Sequence, residues 1–206
     1  SFTNVIRSIG ALTKINKSVV DYEMKKFKGK LQIDSKKKKI VLLLGGDSKK
    51  TTFDLKSALI LAKRVTKIAL NIDAQLLILN SRRTSQNISD ILTNYVEKSG
   101  VDYRFFDYKK IAKEENPYLA LIGVADYFIV TGDSVSMISE VCSTPRPVYI
   151  FDNAKISSKK HKKFHKSLLL GNYVRELNET VKILEDKKTK TLDETRRIAK
   201  IISQVP

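Results

Sequence analysis

The chain has 206 residues, with 39 Lys and Arg against 22 Asp and Glu, a formal net charge of +17. That length can bury a sizeable core in one domain, and 42% hydrophobic content argues against wholesale disorder. One cysteine excludes a disulfide framework or a Cys-based zinc site. No apolar run approaches the ~18 residues of a membrane span. Ser1-Phe2-Thr3-Asn4 does not read as a signal peptide. The expected setting is cytoplasmic, with a peripheral position at the inner membrane face as an extension of the basic charge.

The charge is uneven. Residues 1–39 carry 11 basic and 3 acidic residues, and residues 154–190 carry 11 and 4. Between them, residues 40–153 are nearly balanced, with 14 and 13. A basic excess points to anionic partners: a lipid surface, a phosphorylated small molecule or nucleic acid. The alternative is a Lys-rich solvated surface, since the chain has 30 Lys and 9 Arg. Nucleic acid is the weaker expectation, because Lys lacks the bidentate fork of Arg and no aromatic platform for stacked bases is evident.

Residues 12–28 read as a helix with apolar positions Ile15, Val19, Tyr22 and Phe27. A Lys-rich link, Lys36 to Lys39, leads into the apolar run Ile40–Leu44, closed by Gly45-Gly46. Leu55 to Leu70 has helical spacing, with Asp54 as its cap. Leu76–Leu79 is a second strand, followed by Ser81-Arg82-Arg83-Thr84. Ile88, Ile91, Leu92, Tyr95 and Val96 share a helical face, and Gly100 ends that helix. Tyr103–Phe106 is a third strand. Asn116 as cap and Pro117 at the first position open a helix running to about Val124. Tyr127–Val130 is a fourth strand, Ser134 to Cys142 a helix, and Pro147–Phe151 a fifth strand. Lys159 to Leu170 is a basic helix closed by Gly171. Thr191 to Glu194 reads as a capping box for a last helix with apolar face Leu192, Ile198, Ile202 and Val205.

Apolar strands alternating with helices predict an α/β fold: a Rossmann-like parallel sheet of about five or six strands, helices on both faces. The expected organisation is a linker helix and basic arm over residues 1–39, a nucleotide-binding domain over 40–171, and a closing helical region over 172–206. In such a sheet, ligands bind beyond the carboxyl ends of the strands. The loops holding Gly45, Gly46, Arg82, Arg83 and Ser134 therefore converge on one edge.

Glycines at a strand end let backbone N–H groups approach a phosphate, although taken alone Gly45-Gly46 reads more readily as a plain turn. Neither a Walker motif nor the dinucleotide fingerprint is present. Arg82 and Arg83 can fork onto a diphosphate or simply face water. Ser134 or Asp133 can cap the next helix, whose start is a suitable anion site. Glu140, two turns into an apolar helix, needs a partner, either ribose hydroxyls or a nearby Lys or backbone group. His161 and His165 stand four apart, but no third ligand accompanies them, so no metal is expected. Cys142 reads as a packed core thiol.

Leu44-Gly45-Gly46, Ser81-Arg82-Arg83-Thr84, Asn116-Pro117-Tyr118 and Ala125-Asp126 through Glu140 together resemble the mitochondrial fission factor family named for elongated mitochondria, which has bacterial members. Lys163-Phe164, Leu168, Gly171, Arg175 and the early Asn4-Val5-Ile6 with Gly10-Ala11-Leu12 fit the same pattern. In the family the early motif follows a His-Asp stretch that this chain does not contain. The resemblance implies the second domain of a GT-B glycosyltransferase-like fold, binding a nucleotide diphosphate sugar as donor substrate with no further cofactor. By that resemblance, Gly45, Gly46, Arg82, Arg83, Ser134 and Ser136 hold the diphosphate and Glu140 the ribose. The match of Arg82 and Arg83 is one of position. Pro145 stands where the family usually has Gly, fixing φ in the loop before the fifth strand. The front domain, which supplies the acceptor site, is missing by this resemblance, so this half is expected to be inactive alone. The last helix is expected either to carry an exposed patch or to meet a separately encoded front half. The alternative is a non-catalytic membrane-associated adaptor with a fission-like role.

Overall fold

A computed structural model describes residues 5–111 and 115–204. The elements in chain order are α1 (Lys17–Lys26), β1 (Lys38–Leu43), α2 (Leu55–Asn71), β2 (Ala74–Leu79), α3 (Gln86–Lys98), β3 (Tyr103–Phe106) and α4 (Tyr118–Val124). There follow β4 (Tyr127–Thr131), α5 (Val135–Cys142), β5 (Val148–Phe151), α6 (Lys159–Leu170), β6 (Arg175–Glu176) and α7 (Glu194–Ile202). The six strands form one sheet in the order β3-β2-β1-β4-β5-β6, and every pair is parallel. The order reverses between β1 and β4. That makes their carboxyl ends the switch point where this architecture opens a crevice.

The strand period of two divides the core. Ile40, Leu42 and Leu44 pack with Ile78, Ile129 and Phe151 beneath α2 and α3. Val41 and Leu43 pack with Leu77, Phe128, Val130 and Ile150 beneath α4, α5 and Leu168 of α6. β1 and β4 are apolar on both sides because both sides are covered. Each fully buried aliphatic side chain contributes about 1.5–3 kcal/mol. The two-residue β6 was not separable in the sequence; the chain beyond residue 171 adds it to the sheet and gives Val174, Leu177, Leu184 and Leu192 to the core.

Three local expectations change. The first helix starts at Lys17, not near residue 12. Asn16 caps it, its side chain accepting from the Val19 N–H at 3.0 Å. The preceding segment is held off helical geometry by outside partners: the Ala11 N–H donates to Ser139 Oγ and the Thr13 N–H to Thr195 Oγ1, both at 2.9 Å. The inward face of α1 also differs, since Val19 and Tyr22 are exposed while Val20 and Met24 lie against Gly123 of α4. The α4 cap is Pro117 rather than Asn116, although the Asn116 side chain accepts from the Tyr118 N–H at 3.0 Å.

The last helix is capped by Asp193, which accepts from the Arg196 N–H at 3.1 Å, so Thr191 is not its cap. Glu194 turns instead to the N-terminal arm. It accepts from the Ile9 N–H at 2.9 Å and pairs with Arg197 at 2.7 Å. Of the predicted apolar face, Leu192 is buried, Ile198 half-buried and Ile202 exposed. Val205 lies outside the described residues.

Candidate functional site at the sheet switch point

β1 delivers Gly45 and Gly46, β2 delivers Arg83, and β4 delivers Thr131 and Asp133 to the same place. The Gly45 N–H donates to Thr131 Oγ1 at 2.7 Å. The Gly46 N–H donates to Asp133 Oδ2 at 2.9 Å. The Arg83 guanidinium reaches that same Oδ2 at 2.8 Å and the Gly46 carbonyl at 3.1 Å. The Thr131 hydroxyl, 2.6 Å from Oδ1, completes the cage. The Thr84 hydroxyl closes it from behind by donating to the Gly45 carbonyl. The Asp133 side chain is only 1% exposed. A buried carboxylate persists there because a cation and two further donors compensate its lost hydration.

Around this cage the other predicted residues take different positions. Arg82 is exposed and has no hydrogen bond or ion pair among the described residues. Ser134 caps α5, accepting from the Met137 N–H at 3.4 Å. Ser136 is exposed in the first turn of α5. Glu140 lies six residues past Ser134, which is about 9 Å along a helix axis. It accepts from the Tyr118 hydroxyl and lines a cavity of about 370 Å³ with Lys14, Asn116 and Tyr118 under α1 and α4. Burial raises the Glu140 carboxyl above its ordinary range, and the Tyr118 bond works in the opposite direction. Burial, reinforced by the Glu140 charge, holds the Tyr118 phenol well above its usual value. Gly45, Gly46 and Arg83 therefore form one cluster, while Glu140 faces a separate cavity with Tyr118.

The histidines take different tasks. His161 Nδ1 accepts from the Ser158 N–H in the α6 capping box, at 3.3 Å. His165 is buried and meets Asp152 at the end of β5, Nδ1 to Oδ2 at 3.2 Å. Among the described residues, no group of three or more His, Cys, Asp or Glu gathers at metal-binding range. Asp133 is the residue whose part sequence reasoning understated. Its signal was the spacing Thr131-x-Asp133 directly after a strand, read there as a helix cap.

Strand order, parallel pairing and the crevice between β1 and β4 define a Rossmann-like α/β domain. One solved relative in shape is the UDP-GlcNAc 2-epimerase of Neisseria meningitidis, at a TM-score of 0.53 and 10% identity, covering 90% of this chain and 44% of that one. The family model described as mitochondrial fission ELM1 matches residues 1–205, and the chain belongs to that family. It is 34% identical over 161 residues to an uncharacterized protein of Rickettsia prowazekii, covering 78% of this chain. It is 55% identical over 38 residues to the mitochondrial fission protein ELM1 of Arabidopsis thaliana, covering 18% of this chain and 9% of that protein. The chain spans 45% of the length of the Rickettsia relative.

Proposed function

We propose that this chain is the nucleotide-sugar-binding half of a GT-B-like glycosyltransferase and does not turn over alone. The observation that carries the reading is the convergence of Gly46 and Arg83 at the β1/β4 switch point, where this architecture binds phosphorylated ligands. In this reading the diphosphate lies over Gly45, Gly46 and Arg83, with the exposed Arg82 and the Ser134 and Ser136 hydroxyls at the start of α5 reaching it from solvent. Glu140 then receives ribose hydroxyls. The arginines and the helix N-terminus stabilise the departing nucleotide diphosphate without a metal. In this reading the acceptor site lies in a second domain; the chain spans 45% of the length of the Rickettsia relative. The Neisseria neighbour was solved with UDP-GlcNAc, which makes that compound the first probe.

Calorimetric titration with UDP-GlcNAc and other nucleotide diphosphate sugars is expected to show saturable binding below millimolar. Glu140→Ala should weaken it at least tenfold. No saturation with any of them, or binding indifferent to Glu140→Ala, rejects the assignment.

A second reading, a membrane-associated adaptor, draws on α6. Lys159, Lys160, Lys162, Lys163 and Lys166 are all exposed along it, and Leu170 at its end is 79% exposed. Clustered lysines beside an apolar tip suit an anionic lipid surface. No helix among the described residues is long and apolar enough to cross a membrane. Flotation with liposomes containing phosphatidylserine should carry the protein upward, and 0.5 M salt should release it, on the order of the screening expected for surface charge. Equal flotation with neutral liposomes counts against the reading.

A further inference from the structure

The crevice at the switch point already holds an anion, and the chain supplies it. The Asp133 carboxylate takes the Gly46 N–H, the Thr131 hydroxyl and the Arg83 guanidinium. A backbone amide at a glycine, a hydroxyl and an arginine are the donor set that proteins offer to phosphate oxygens. The glycine loop is shaped around this carboxylate, because a Cβ on Gly45 would collide with both Asp133 oxygens. Arg83 brings one positive charge and Asp133 cancels it, so an incoming diphosphate meets a neutral pair instead of a free cation. Two anions in one poorly hydrated place repel each other.

We propose that Asp133 is a built-in competitor for the diphosphate: the free protein holds Gly46 and Arg83 closed on its own carboxylate, and a diphosphate gains them only by displacing that side chain. This rests on the diphosphate reading given above and adds a selection rule to it. Ligands with a single weak anionic group fail to displace Asp133, whereas a diphosphate, with more charge and more acceptor oxygens, succeeds.

The test compares the wild type with Asp133→Asn, which keeps the side-chain shape and removes the charge. The probes are inorganic pyrophosphate and UDP, followed by calorimetry. Asp133→Asn is expected to bind pyrophosphate at least tenfold more tightly than the wild type, and adding Arg83→Gln should cancel the gain. If the wild type binds and a folded Asp133→Asn binds no more tightly, the competition is overturned while the diphosphate reading stands. If neither protein binds either probe, the diphosphate reading falls and the competition with it. Should Asp133→Asn fail to fold, the Gly46 amide resonance of the wild type serves instead. It is expected to shift at saturating pyrophosphate as its carboxylate partner is replaced, and an unmoved resonance overturns the proposal.

Discussion

Gly45 owes its identity to a residue far along the chain. Its N–H bonds Thr131, and its missing Cβ leaves the space filled by the Asp133 carboxylate. Gly45→Ala drives a methyl group into that buried ion pair. Urea unfolding should show a loss of about 1–3 kcal/mol, the usual cost of overpacking. Gly100 makes the contrast. Nothing stands within 4 Å of a Cβ there, but its φ is +74°. Gly100→Ala is strained only in its backbone and should cost about 1 kcal/mol. The sequence showed two glycines at a strand end, which by themselves favoured a plain turn over a phosphate contact. Deciding what sits against them needed Asp133, whose bond to Gly46 spans 87 positions. Local pattern around the glycines does not name such a distant partner.

At the scale of elements, helix bodies were legible and helix ends less so. Asp54 caps α2 as its spacing predicts, with its side chain accepting from the Ser57 N–H at 2.9 Å. Gly100 follows α3 with the positive φ that favours glycine. The two flanking helices departed from pattern because distant groups compete for their backbone. The segment before α1 is bonded to Ser139 and Thr195, and Glu194 serves the N-terminal arm instead of a capping box. Hydrogen bonds from Arg197 and then the Ile9 N–H hold the Glu194 carboxyl below its ordinary value of 4.5, outweighing its burial. A carboxyl lowered in the folded state adds stability that is complete above that ordinary value. The contribution is lost as pH falls through the lower folded-state value. Hydrogen exchange at the Ile9 amide should therefore accelerate on acidification below about pH 4.5 more than the intrinsic chemistry explains. Glu194→Gln should remove that excess. An Ile9 amide that follows intrinsic rates in both proteins contradicts the tie.

At the scale of the whole molecule, one sheet separates two apolar layers, and its reversal between β1 and β4 gathers the polar loops at one edge. The net charge of +17 lies outside that arrangement. The core segment is nearly balanced, and the lysines of α6 face water. The amino-acid sequence by itself determined the α/β class, five of the six strands and the loops that meet at the carboxyl edge. Those follow from short-range periodicity and from glycines, caps and apolar runs that act within a few residues. Only the tertiary structure decided that the Gly46 N–H and Arg83 close on Asp133, that Glu140 turns to Tyr118, and that the terminal arms are tied through Glu194. Each of these contacts joins residues distant in the chain. Such a contact is selected by the geometry of the packed sheet and by the need of buried charge for a partner, and neither leaves a local signature.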